Sequence, residues 1–208
     1  MVHPKPYLWE EDKALNFFEI YKKICVHHPS SHAISREMIV LIFFEETGFC
    51  NVRQSRGTGP AVGFGQVEIY NPDKIPFFAW LGFNSDRKKR NSPLPLITPE
   101  RITSDNDLSV KISCKYFQWL VSERDKSTLG ALQAQTGGGA NLTIIPVWLN
   151  AERELKSVIH SGDRMKLIRA LNMARSGGPH PNPIRYDWFK AYWDFTVPES
   201  ELISGVQG

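Results

Sequence analysis

The sequence predicts a mainly α (α+β) fold: a helical bundle around a buried central helix, with a small β-hairpin or loop lobe flanking a cleft. Three observations predict it. Met38 to Phe44 is apolar without interruption, and a helix that is apolar all round belongs inside a bundle. Several other segments place apolar residues at helical spacing. The stretch from Gln54 to Gly65 is rich in glycine and proline, which favours turns over helix.

The elements follow in order. Residues 1–10 read as a tail. Asp12 to Cys25 carries Ala14, Phe17, Phe18 and Tyr21 at helical spacing. The central helix has Ser35 as its cap, since the hydroxyl can accept an amide of the first turn, and Gly48 as its stop. Gln54 to Gly65 is a loop or small hairpin, and Pro72 to Pro99 is a proline-rich irregular insertion able to line one wall of a cleft. Lys111 to Ser122, Leu142 to His160 and Arg164 to Ala174 are further helices, with Pro146 in or just before a first turn. Gly177 to Pro183 is a turn or loop, and Tyr186 to Phe195 is an aromatic-rich final helix.

At 208 residues a single domain, 1–208, is the default. Hydrophobic content of 41% and charged content of 23% are ordinary for a globular protein. A net charge of +3 suits an anionic polymer without demanding one. Met1 to Leu8 has two prolines and no apolar core, unlike a signal peptide, and no run approaches the length of a membrane span. An odd number of scattered cysteines, Cys25, Cys50 and Cys114, fits free thiols.

The chemistry concentrates at the end of the central helix. Ile39, Ile42, Phe43 and Glu46 share one face, so Glu46 extends an apolar stripe, while Glu45 lies ~100° round the helix. An acid in an apolar pocket keeps its proton near neutral pH and can protonate a glycosidic oxygen. The plainer alternative is a solvated helix end. Gly63-Phe64-Gly65-Gln66-Val67-Glu68 follows, a glycine-rich turn carrying an amide and a second acid. Glu68 can activate a water, or it can simply point outward in a strand where Val67 and Ile69 point in.

Glu46-Thr47-Gly48-Phe49 resembles the Glu-Ser-x-aromatic signature of goose-type lysozymes and lytic transglycosylases. Gly63-Phe64-Gly65-Gln66-Val67 is similar to their Gly-Leu-Met-Gln turn. Leu108-Ser109-Val110 with Tyr116-Phe117-Gln118-Trp119-Leu120, and then Leu129 to Gly139, resemble the helix and the Ala-Tyr-Asn-Ala-Gly segment that follow. The resemblance spans residues 34–150. It implies a lysozyme-like catalytic domain that cleaves the β-1,4 bond between N-acetylmuramic acid and N-acetylglucosamine in peptidoglycan. Glu46 is then the general acid and Glu68 the candidate base, with Gln66, Thr47, Phe64, Gln135 and Tyr186 as substrate-binding candidates. The family's Tyr-Asn pair falls on Gln135-Thr136 here, and its late tyrosine on Tyr186 or Tyr192. Glu68 stands where goose-type lysozymes carry an aspartate, which favours hydrolysis over ring closure to an anhydro-sugar. A chitin- or chitosan-cleaving relative and a catalytically silent wall-binding protein stay open.

The reading expects no cofactor, no metal, no nucleic acid and no membrane span. It expects a monomer whose partner is peptidoglycan or a related β-1,4-linked amino-sugar polymer, reached outside the cytoplasm by export, lysis or injection. Cys25, His27, His28 and His32 match no zinc spacing, and Pro29 breaks any helix between them. Asp86 to Arg90 reads as a solvated basic loop. Most tryptophans belong in the core. Gly137-Gly138-Gly139 lacks the lysine of a phosphate loop and suits a backbone approach or a helix cap.

Overall fold

The computed structural model describes residues 11–53, 61–89, 91–135, 144–174 and 187–203. The chain is mainly helical, with one small two-stranded sheet. The expected turn at Gly177–Pro183 and the triple glycine at 137–139 lie outside the described residues, as does Tyr186.

Helix α1 spans Phe17–His27. It starts later than the periodicity suggests because a capping box fixes its first turn: the Glu19 amide donates to Asn16 Oδ1 at 2.9 Å and the Asn16 amide to Glu19 Oε2 at 3.0 Å. Residues Glu11–Lys13 form a separate 3-10 turn.

Helix α2 spans Arg36–Thr47, between the two residues expected to bound it. The Met38 amide donates to Ser35 Oγ at 3.1 Å. Gly48 takes a left-handed φ of 61° and its amide closes on the Phe44 carbonyl at 2.9 Å. Every residue from Met38 to Phe44 is buried. The bundle is built round this helix.

Strands β1 (Ala61–Val62) and β2 (Val67–Glu68) pair antiparallel with Val62 opposite Val67. The hairpin therefore turns at Gly63–Gln66, overlapping the end of the loop or hairpin expected for Gln54 to Gly65, of which residues 54–60 lie outside the described residues.

The proline-rich insertion is more ordered than its composition suggests. Asn71 caps a 3-10 turn at Pro72–Lys74, and α3 follows at Ile75–Trp80. Proline at a helix's first positions loses no bond, because those amides have no partner in the helix anyway. Phe77 and Phe78 then anchor the short helix in the core. A stable bend at Asn84, whose amide donates to the Pro95 carbonyl at 2.9 Å, returns the chain to α4 at Pro99–Thr103.

Helix α5 spans Asn106–Ser122, starting before the amphipathic segment at Lys111 because Asp105 caps it. Helices α6 (Thr128–Gln135), α7 (Ile144–Val158), α8 (Arg164–Met173), α9 (Asp187–Thr196) and α10 (Glu199–Ile203) complete the described chain. Pro146 lies in the first turn described for α7. Helices α1 and α7 pack against α2, α5 packs against α1, and α8 against α7.

One apolar cluster runs from Phe17 to Val197. Trp119, Trp148 and Trp193 are buried in it, whereas Trp80 is 44% exposed. The three cysteines are free. No helix among the described residues is long and apolar enough to cross a membrane.

Candidate active site

The site begins where α2 ends. Glu45 and Glu46 are both half-buried, so the helix leaves its apolar surroundings at these residues. Thr47 ties this end down. Its hydroxyl lies 3.1 Å from the Phe43 carbonyl and 3.2 Å from the Phe64 carbonyl, so it can share its proton between the helix and the glycine turn. Beyond it, Gly48 and Phe49 both adopt left-handed backbone, and Phe49 drives its ring into the core beside Phe44, 5.4 Å between centroids. Tyr192 closes this corner: its hydroxyl donates to the Gly48 carbonyl at 3.4 Å. Tyr192, one of the two tyrosines that the resemblance left open, thus lies against the end of α2.

The glycine turn packs backbone-first onto α5. The Phe64 amide donates to Ser109 Oγ at 3.1 Å. A Cβ at Gly63 would stand 2.5 Å from Ser109 Oγ, and one at Gly65 would stand 2.6 Å from Ser113 Oγ and 3.2 Å from Phe43 Cε1. Space alone demands glycine at Gly65. At Gly63 the φ of 78° demands it as well.

Phe64 and Thr47 were expected to touch substrate. Phe64 is fully buried and stacks on Phe43 at 5.9 Å, and Thr47 is buried with its hydroxyl directed at two carbonyls. Both are placed to build the wall of the site rather than to contact a ligand. Gln66, at a positive φ of 50°, turns its amide nitrogen back to the Gly63 carbonyl at 2.8 Å and the Val52 carbonyl at 3.1 Å. Its Oε1 is the atom left to offer a ligand. Gln135 arrives from α6 and donates to the Gly65 carbonyl at 2.7 Å. A residue seventy positions away thus meets the same turn.

Glu68 follows the alternation expected of it, with Val67 and Ile69 buried and Glu68 and Tyr70 half-buried. Its Oε2 accepts from Asn71 Nδ2 at 2.6 Å. The outward face of the strand is not open water. Lys74, half-buried on the next turn, lies within electrostatic reach of Glu68, Glu46 and Asp73. Burial holds Lys74 below the ordinary lysine value, and the carboxylates of Glu68, then Glu46, then Asp73 act in the opposite direction. Its Nζ lies 5.1 Å from the centre of the Tyr116 ring. Burial, and then Glu68 and Asp73, push Tyr116 up to about 12.

Carboxylates from separate elements, Glu46 of α2 and Glu68 of β2, therefore both act electrostatically on Lys74. Sequence reasoning assigned no role to Lys74 or Tyr116. Lys74 sits in the proline-rich insertion, where no periodicity marks it. Tyr116 was legible only as one residue of an aromatic helix.

The histidine cluster is structural. His28 is buried and its Nε2–H donates to the Ile34 carbonyl at 2.7 Å, while Gln118 Nε2 approaches its Nδ1 at 3.3 Å. His32 packs edge-on against it at 4.6 Å. No group of three or more metal-ligating side chains occurs among the described residues.

Comparison of the chain with protein-family models, with curated proteins and with solved structures finds no match, so the likeness to goose-type lysozymes and lytic transglycosylases rests on the motifs themselves.

Proposed function

We propose that the chain is a lysozyme-like glycosidase that hydrolyses the β-1,4 bond between N-acetylmuramic acid and N-acetylglucosamine in peptidoglycan. One observation carries the reading. Motifs that stand far apart in the sequence meet at one corner: the end of α2 with Glu46, the Gly63–Gln66 turn, Ser109 of α5 and Gln135 of α6. A chance set of weak motifs has no reason to converge on a single glycine turn beside the end of α2.

In this reading Glu46 protonates the leaving oxygen. Glu68 activates the water on the opposite sugar face, as an inverting glycosidase requires. The shared electrostatic influence of Glu68 and Glu46 on Lys74 supports this pairing. Gln66 and Gln135 fix the glycine turn, and Gln66 offers its carbonyl oxygen to substrate or water. Turbidity loss of purified cell walls, with chitin in parallel, tests the reading. Clearing of walls is expected. Clearing of neither polymer, or of chitin alone, would overturn it.

A further inference from the structure

The basic loop after α3 has a defined partner in the fold. Arg87 lays its guanidinium over the Tyr70 ring, 3.6 Å from the centroid. Tyr70 stands two residues beyond Glu68, in the turn that follows β2, and like Glu68 it is half-buried. A guanidinium stacked by its face keeps its N–H groups in the plane, at the edge. That edge matches a carboxylate with two parallel hydrogen bonds.

The loop that carries Arg87 is preorganised. Asn84 Nδ2 donates to the Lys89 carbonyl at 3.0 Å, and Asn84 Oδ1 accepts from the Asp86 amide at 2.9 Å. The neighbouring acids have other partners, although Glu100 also feels the charge of Arg87. Asp86 Oδ1 accepts from the Lys88 amide at 2.9 Å, and Glu100 pairs with Arg53 at 3.5 Å. Arg87, Lys88 and Lys89 are exposed, so this loop presents cations to solvent.

We infer that the Tyr70–Arg87 pair, two residues along the chain from Glu68, is a subsite for a carboxylate of an anionic glycan strand, and that it makes the site prefer peptidoglycan to uncharged chitin. The inference rests on the glycosidase reading for its occupant. Two carboxylates fit: those of the peptide stems and the lactyl group that peptide removal exposes.

Sedimentation binding in the Glu46→Gln background tests it while the polymer stays intact. The ligands are intact cell walls, amidase-stripped strands, strands with their carboxylates amidated, and chitin. Arg87→Ala is expected to weaken binding about tenfold on walls or stripped strands, and to leave amidated strands and chitin unchanged. The ligand that shows the loss names the carboxylate. Arg87→Lys is expected to fall short of full binding, and Tyr70→Leu to lose part of it, since each removes the stack. Equal binding by Arg87→Ala on all ligands, an equal loss on chitin, or no binding to walls at all would overturn the inference. Cleavage is scored separately with the unaltered protein. Binding through Arg87 without released muropeptides removes the glycosidase reading alone, whereas cleavage indifferent to Arg87 removes this inference alone.

Discussion

Glu46 and Glu45 are neighbours with similar exposure, and the account separates them by direction. Glu46 shares a face with Ile42 and Phe43 and acts electrostatically on Lys74. Glu46→Gln keeps the shape but cannot act as an acid, so wall digestion should fall by about two to four orders of magnitude with an unchanged melting curve. Glu45→Gln should retain most activity. The reverse pattern would move the acid to Glu45.

A second residue-scale prediction concerns His28. Burial holds it down at about 4, against an ordinary 6.5. Below 6.5 the unfolded chain takes up a proton that folded His28 refuses, so stability falls as pH drops from 6.5 towards 4 and then levels. Between pH 7 and pH 5 this contributes a loss on the order of 2 kcal/mol. Urea unfolding at the two pH values checks it. His28→Gln should show a smaller loss, and an equal loss would exclude His28 as the cause.

At the scale of elements, the site depends on how closely the glycine turn approaches α5. Gly65→Ala puts a methyl against Ser113 and Phe43 and should destabilise by about 1–3 kcal/mol. Adding Ser113→Gly should return part of that loss, after allowing about 1 kcal/mol for glycine inside a helix. Purely additive effects in the four-variant cycle would show that the contact is not the cause.

Elements also differ in how far the sequence revealed them. α2 was legible because an unbroken apolar run lies between a serine cap and a stopping glycine. α3 was not, since a six-residue helix among prolines has no period to read. Its order comes from burying Phe77 and Phe78, a tertiary effect. The register of the hairpin was likewise hidden, because only packing against Ser109 and Ser113 shows which glycines form the turn.

Across the whole molecule, Phe17 near the start and Val197 near the end share one core, so the corner at Glu46 draws on residues from most of the chain. The sequence marked Glu46, Gln66, Glu68 and Gln135. It could not mark Lys74, Tyr116 or the Arg87–Tyr70 stack, because each depends on where the insertion folds back. The contact of Tyr192 with Gly48 likewise joins residues 144 positions apart.

The central claim is general acid cleavage of peptidoglycan by Glu46, with water activated at Glu68. Mass spectrometry of purified cell walls digested by the unaltered protein and by Glu46→Gln tests it most directly. The account predicts muropeptides with ordinary reducing ends from the first and almost none from the second. Anhydro-muropeptides as the dominant product would contradict the role of Glu68, and equal digestion by both proteins would contradict the role of Glu46.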